Sequence, residues 1–561
     1  MLCSKLFVPR DVCIRVVKES TVAIADRLLA LVHTAAQDSF DTLRADPTTF
    51  KAVTVDEPSS PEHGDYATNA ALVLAKQVGQ QPRRVAELLA DRLRGESMID
   101  RIDIAGPGFL NFWITPLALS GEIAALLAGG NEYLRPDLGH GATVQVEFVS
   151  ANPTGPLHVG NGWLATYGDA LSRLLEFVNY RVTKEYYVND TGGQIRQLGA
   201  SIIAVRNGDE VPEGGYQGAY ISDLAGRYKG SDDVVEAGSW AVPIILELIR
   251  VTLGHLGIEM DSWFSQASIE ESGDVADVVA KLEERGAIYD HDGALWFASE
   301  RFGDTRDRVM RKSNGDFTYL AGDIAYHYNK LVVRDYSLVI DVFGADHHGQ
   351  VASMMAAIRA LGIDESRLEI KLGQMVSLLE QGQAVKFSKR AGTAIPLDWL
   401  VQELGRDATR LLILSSSIDR ASQIDLAQAK SQSMENPVFY IQYAHARIAA
   451  LLRNAENQGV RVKDVSTQSL ATLTHPREAA LMKDLIRLES VIVRAAVERA
   501  PHKVVGWLMQ TASDFHGFYH DCPVLTAAPI ERDGRLMLAR AAQLAIATAL
   551  GLLGVVPLEE M

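Results

Sequence analysis

The sequence predicts a multidomain protein in which a doubly wound α/β domain follows a small α+β module and precedes an all-helical domain. Three observations carry this expectation. Residues 143–149 alternate and are β-branched; they run through a Pro/Gly-rich loop into a segment of helical periodicity, the opening unit of a doubly wound parallel sheet. Ahead of that unit, amphipathic helical stretches and short strand signals are interleaved. From residue 400 onward, Leu, Ile and Ala recur at helical spacing almost to the end. At about 150 residues per domain, 561 residues accommodate three to four domains.

The elements follow in order. Ile24, Leu28, Leu29, Leu31 and Val32 place a helix over 22–41. A turn-rich stretch, DEPSSPEHGDY, precedes a second expected helix over 66–77. Pro82 opens a third helix, PRRVAELLADRL. DIAGPGFLNFWI reads as a turn and a strand, and the module closes near residue 127. After the strand at 143–149, Leu164, Tyr167, Leu171, Leu174 and Leu175 share one helical face. Further strands are expected at 337–343 and 367–372. No internal repeat is evident.

Composition narrows the class. Hydrophobic residues make up 47% and charged residues 22%, an ordinary globular balance. No run approaches the roughly 20 apolar residues of a membrane span; residues 541–556 come nearest, but Gln543, Thr548 and two glycines interrupt them, so a buried helix is expected. MLCSKLFVPRDVCIRVVKES is too charged for a signal peptide. Cys3, Cys13 and Cys522 form neither a disulfide framework nor a CxxC metal site, which fits a reducing, cytoplasmic setting. The net charge is −17, against broad nonspecific nucleic-acid binding. Residues 431–561, however, hold 13 basic and 13 acidic side chains, so a polyanion meets less repulsion there.

Two short segments carry chemistry. His158-Val159-Gly160-Asn161 lies where the loop becomes a helix, where free N–H groups and the positive dipole end attract phosphate. Lys386-Phe387-Ser388-Lys389-Arg390-Ala391-Gly392 is a cationic loop suited to neutralising a departing pyrophosphate. Taken singly, each is more often structural. Together and in this order they resemble the HIGH and KMSKS motifs of class I aminoacyl-tRNA synthetases. SANPTGPLHVGN, EYYVNDTGGQI, TYLAGDIAYH, GADHHGQV, KFSKRAG, DATR and ENPVFYIQYAHAR then resemble arginyl-tRNA synthetases in the right order. EHGDYATNAALVLAK and IAGPGFLNFWI resemble that family's N-terminal domain, and HGFYHDCPVL its C-terminal end.

The resemblance implies a Rossmann-type catalytic domain with an insertion (128–399), an α+β N-terminal tRNA-binding domain (21–127), connecting helices (400–430) and an all-helical anticodon-binding domain (431–561), with residues 1–20 as an extension. It implies ATP-dependent activation of L-arginine to arginyl-adenylate and transfer to the 3′ end of tRNA(Arg), with Mg2+ accompanying ATP, in a cytoplasmic monomer that needs bound tRNA for activation and no membrane. His158, Asn161, Lys386 and Lys389 become the catalytic residues. Pro153, Gly155, Gly160 and Ser388 join them at the ATP site. Asn152, Gln266, Tyr319, Asp323 and His347 become the arginine site, with Asp323 as the guanidinium's carboxylate. Gln442, Tyr443 and Arg447, with His445 on the same helix, become tRNA contacts; Arg311 and Lys312 are either tRNA contacts or solvated.

Two positions depart from the family pattern. Asn161 stands where histidine is commonest, and its amide still donates. Gln266 stands where similar enzymes place a glutamate, so weaker arginine binding is expected unless Glu270 or Glu271 compensates. Trp163 and Trp507 read as core. Asp346, His347 and His348 are adjacent and lack a third partner, which argues against a metal site. Two other classes remain as alternatives: a non-catalytic tRNA-binding paralogue, and a smaller adenylyltransferase, for which the helical region after residue 400 is surplus.

Overall fold

The computed structural model describes residues 24–43, 47–58, 60–374, 376–380, 383–384, 395–431, 433–461 and 466–561. The expected extension at 1–20 and the residues Lys386, Ser388 and Lys389 lie outside these.

In the N-terminal module, helices Ile24–Ser39 and Pro82–Leu93 pack on a four-stranded antiparallel sheet. Pro82 occupies the first helical turn, where its missing N–H leaves no bond unmade. The helix expected over 66–77 is shorter: Tyr66–Thr68 is a strand paired with Leu110–Phe112, and only Ala70–Leu74 is helical. Tertiary hydrogen bonds decide this. The Thr68 hydroxyl donates to the Thr54 carbonyl at 2.6 Å, and Asn69 Oδ1 accepts from Thr54 N–H at 2.8 Å.

The central domain is built on five parallel strands: β1 (Thr143–Phe148), β2 (Arg181–Val188), β3 (Ser262–Ser265), β4 (Leu338–Gly344) and β5 (Leu368–Gly373). Their spatial order is β5-β4-β1-β2-β3. The chain therefore builds outward from β1 on one side, then crosses back to place β4 on the other. Helix α1 (Val159–Phe177) crosses from β1 to β2 with Leu171, Leu174 and Leu175 fully buried, each contributing about 1.5–3 kcal/mol. Between β3 and β4 an antiparallel three-stranded sheet (residues 288–311) and helix α2 (Tyr319–Tyr328) are inserted. All the strands expected here form, each within a residue of its predicted limits.

Beyond residue 400 one strand among the described residues interrupts the helices: Ser422–Asp425 pairs in parallel with Val376–Leu379. Its sequence, SQID, has no strand periodicity, and only this long-range pairing makes it one. Helix α3 (Pro437–Asn457), helix α4 (His502–Asp521) and helix α5 (Pro529–Leu552) dominate the C-terminal part. Helix α5 is long and apolar enough to cross a bilayer, yet 72% of its most apolar stretch is buried within the protein, as expected from its interruptions.

These helices share one hydrophobic core with the N-terminal module and with Ala170 and Leu174 of α1. Polar ties reinforce it: Arg487 pairs with Glu57 at 2.9 Å and Lys483 with Asp65 at 2.7 Å. The fully buried Arg410, in the DATR segment, donates to Asp169 of α1 at 2.6 Å and to the carbonyls of Leu553 and Leu256. Tyr167 of α1 donates to the Arg499 carbonyl at 2.7 Å. Helix α1 is thus clamped by the segments that follow residue 400.

Candidate active site

The loops that line the main cavity leave the C-terminal ends of the parallel strands. Residues 149–152 follow β1, Asn189 and Thr191 follow β2, Gln266 follows β3, Ala345–His347 follows β4 and Gln374 follows β5. The cavity measures about 1080 Å³. It opens where β4 sits beside β1 after the strand order reverses, the position at which doubly wound sheets bind ligands.

The first loop is strained. Val149 and Ser150 have φ of 71° and 36°, left-handed values that cost a non-glycine residue about 1–3 kcal/mol each. Ser150 Oγ holds the turn by donating to Glu147 Oε1 at 2.8 Å and accepting from Tyr187 N–H at 3.0 Å. The turn delivers Asn152 to the cavity wall.

Helix α1 then starts at His158, which has extended backbone geometry. Asn161 Oδ1 accepts from the His158 N–H at 3.1 Å, so the carbonyl of this amide caps the helix while its NH2 remains available as a donor. His158, Gly160 and Asn161 all line the cavity. The chain returning from the Lys386–Gly392 segment is bonded to the same place. Val159 N–H donates to the Ile395 carbonyl at 3.2 Å and Leu397 N–H to the Leu157 carbonyl at 2.9 Å. Pro153 and Gly155, expected at the ATP site, do not line the cavity. They are buried, and the Tyr220 ring covers Gly155 while its hydroxyl donates to the Thr154 carbonyl at 2.9 Å.

Asp323 and Tyr319 project one turn apart from α2, whose first turn is capped by Thr318. Both line the cavity. Among the described residues, no hydrogen bond or ion pair reaches the Asp323 carboxyl. Burial pushes it up to about 6; the Glu147 carboxylate adds to the rise, and His327, His347 and Lys330 oppose it. His347, in the turn after β4, is held by Gln350 at 3.1 Å and by ring contact with Phe343. Gln266 is buried at a helix start. Its Nε2 donates to Glu270 Oε1 at 2.7 Å, leaving its carbonyl oxygen without a partner among the described residues.

Behind the cavity lies a group that the sequence did not disclose. Lys330 is fully buried and donates to Glu147 Oε2 at 2.5 Å and Asp341 Oδ1 at 2.7 Å. His327 bridges Asp341 Oδ2 and the Asp323 carbonyl, both at 2.7 Å. One signal was legible: Glu147 and Asp341 are the charged residues inside the strand segments VQVEF and LVIDVF, and buried carboxylates need partners.

No group of three His, Cys, Asp or Glu able to hold a metal occurs among the described residues. Trp163 is buried and forms part of the cavity floor, and Trp507 is core, its indole N–H donating to the Asp484 carbonyl at 2.8 Å. Arg311 and Lys312 are exposed on the inserted sheet.

In the C-terminal domain, Gln442 departs from its expected role. It is buried, donates to the Val556 carbonyl and accepts from Leu558 N–H, both at 2.9 Å. His445 is likewise buried against the Leu558 carbonyl. Both side chains tie down the chain terminus. Tyr443 and Arg447 are only half-buried; Tyr443 stacks between Phe439 and His516, and the Arg447 guanidinium lies 4.2 Å from the Tyr519 ring centre.

Comparison with known proteins agrees at every domain. Residues 23–114 match the arginyl tRNA synthetase N terminal domain, residues 122–237 and 245–450 the catalytic domain of class I (R) tRNA synthetases, and residues 441–561 the DALR anticodon binding domain. The arginine–tRNA ligase of Caldanaerobacter subterraneus subsp. tengcongensis is 39% identical over 97% of this chain and 100% of its own length. That of Moorella thermoacetica is 41% identical over 90% of this chain and 93% of its own. The Thermus thermophilus arginyl-tRNA synthetase structure superimposes with a TM-score of 0.76 at 23% identity, covering 96% of this chain and all of that one, a likeness of fold. On these matches the chain belongs to the arginyl-tRNA synthetases and is an arginine–tRNA ligase of class I.

Proposed function

We propose that the cavity between β1 and β4 holds arginine and ATP side by side, with Asp323 as the residue that selects arginine. The observation that carries this reading is the Asp323 carboxyl, which faces a large cavity and, among the described residues, takes part in no hydrogen bond or ion pair. Burying such a group unpaired is unfavourable, and a planar guanidinium supplies a bidentate partner for it. Tyr319 flanks the guanidinium, the Gln266 carbonyl accepts from it, and Asn152 holds the amino-acid end of the substrate near His158.

ATP lies along the start of α1. Gly160 lets the nucleotide approach the backbone, and the helix N-terminus attracts its phosphates. The arginine carboxylate oxygen attacks the α-phosphorus, a P–O bond to arginine forms and pyrophosphate leaves. His158 and the Asn161 NH2 donate to the phosphate oxygens as charge builds on them. Lys386 and Lys389, outside the described residues, stabilise the departing pyrophosphate. A terminal tRNA ribose hydroxyl then attacks the arginyl carbonyl and AMP leaves. Mg2+ bound to the ATP phosphates would supply charge neutralisation there. Tyr443 and Arg447 contact tRNA, and the enzyme works as a cytoplasmic monomer.

The test is discrimination against citrulline, which replaces the guanidinium with a neutral urea. In aminoacylation and ATP–pyrophosphate exchange with tRNA present, arginine should be used and citrulline should neither react nor compete. Inhibition by citrulline at arginine-like concentrations would sink the Asp323 assignment.

A further inference from the structure

Lys330 reaches no cavity surface, yet it touches the machinery on both sides of it. Its ammonium lies between Glu147 Oε2 and Asp341 Oδ1 and 4.1 Å from the Tyr326 ring centre. Burial alone would lower its pKa; the carboxylates of Asp341 and Glu147 outweigh that and raise it. From Glu147 the chain of contacts continues through Oε1 to Ser150 Oγ, and so to the strained pair Val149–Ser150 that presents Asn152. From Asp341 it continues through His327 to the carbonyl of Asp323. One buried cation therefore links the loop after β1 to the helix that carries Asp323.

We propose that Lys330 is a positioning residue for arginine recognition. It holds Glu147, and Glu147 through Ser150 holds the left-handed turn in the one geometry that brings Asn152 to the substrate. Left-handed φ at a β-branched valine persists only where its surroundings over-determine it, and the Glu147–Ser150 bond with the Tyr187 N–H is what does so here. Without Lys330, Glu147 and Asp341 are two carboxylates sharing a buried site, and like charges move apart or take up a proton. Either outcome weakens the grip of Glu147 on Ser150. The inference rests on the reading of this cavity as the arginine pocket.

The experiment is a double-mutant cycle read in the Michaelis constants for arginine, ATP and tRNA. Ser150→Ala removes one oxygen atom and should raise the arginine KM about tenfold, the effect of losing a hydrogen bond to a carboxylate. Lys330→Gln should raise it by a similar or larger factor, with the KM for ATP and tRNA within about twofold of wild type. Because both act through Glu147, the double variant should match the larger single effect instead of their product of about a hundredfold. A merely structural lysine would lower the melting temperature and leave the arginine KM of the folded enzyme alone. An unchanged arginine KM in either single variant, or a multiplicative double variant, overturns the proposal. Should Lys330→Gln fail to fold, Lys330→Arg replaces it in the same cycle, since its longer planar head cannot reproduce both contacts. Asn152→Ala separates the two levels of the argument. If it too leaves the arginine KM unchanged, the pocket reading fails; if it alone raises KM, the pocket stands and the positioning role of Lys330 falls.

Discussion

Asp323 and Asp341 lie either side of one imidazole and could hardly be treated more differently. Asp341, fully buried in β4, is matched by Lys330 and His327, and the Lys330 ammonium together with the His327 contact holds its carboxyl well below the usual carboxylate range despite burial. Asp323 has no such match, and its carboxyl is pushed up to about 6. The first carboxylate is completed by the protein; the second is left for something else to complete. On the proposed reading of the cavity, this difference separates a residue that makes the fold from a residue that makes the function, although both are acidic side chains in the same domain.

The pair of substitutions to asparagine should break that comparison most strongly. Asp341→Asn weakens the neutralisation of the fully buried Lys330 and should cost about 3–5 kcal/mol of folding stability. Asp323→Asn should do the reverse, gaining about 1–3 kcal/mol at pH 8 because an unpaired, partly buried charge is removed, while kcat/KM for arginine falls by a factor on the order of 10² to 10³. The sign follows from the raised folded-state pKa. Between about pH 4 and 6 the folded protein binds the Asp323 proton more tightly than the unfolded chain does, so stability declines as pH rises through that window. The gain from Asp323→Asn should accordingly vanish below about pH 4, and the wild-type arginine KM should climb as pH falls below about 6. Urea titrations of the three proteins at pH 4, 6 and 8 read the stability side. A destabilising Asp323→Asn at pH 8 would show that the carboxylate already has a partner.

A smaller contrast of the same kind exists on helix α3. Gln442 and Tyr443 are neighbours in sequence, but Gln442 is turned inward to the carbonyl of Val556 and the N–H of Leu558, whereas Tyr443 and Arg447 remain half-buried on a face of stacked rings. Gln442→Ala leaves two buried backbone groups unpaired and should lower stability by about 1–3 kcal/mol, with little change in the KM for tRNA. Arg447→Ala should raise the KM for tRNA severalfold with a smaller effect on stability. Filter-binding or charging assays with both variants decide this. Equal effects on tRNA would return Gln442 to the interface.

What the sequence made legible followed from physics that is local or from resemblance. Local sequence pattern located the strands at 143–149, 337–343 and 367–372, because alternation and β-branched apolar residues are written within each segment. It failed at Tyr66–Thr68 and at Ser422–Asp425, where pairing partners lie tens of residues away. The cavity residues Asn152, His158, Asn161, Tyr319 and Asp323 come together as expected. Gln442 misled because polarity and helical position do not say which way a side chain turns. Lys330 was invisible for a related reason: a lysine in a helical stretch usually reaches solvent, and only the fold brings Glu147 and Asp341, 194 residues apart in sequence, to either side of it.

The smallest expected effect, and the most discriminating for the pocket itself, concerns Gln266. The sequence suggested that glutamate here would simply tighten arginine binding. The structure adds a competitor, because the Gln266 amide N–H2 is bonded to Glu270 at 2.7 Å, and Gln266→Glu would set two carboxylates against each other. Glu270 is exposed, and its other contact is a 3.3 Å bond from Thr191, so it can swing into solvent at modest cost. A charged acceptor for the guanidinium gains up to about 1 kcal/mol over a neutral one, less whatever the displaced Glu270 costs. Gln266→Glu should therefore lower the arginine KM only about two- to threefold. Adding Glu270→Gln removes the repulsion and restores a donor to the new carboxylate, and the double variant should reach about fivefold. Both should be measured at pH 8, where Asp323 is ionised. If the double variant binds arginine no better than wild type, Gln266 is a helix-start residue that happens to border the cavity, and Asp323 recognises the guanidinium without it.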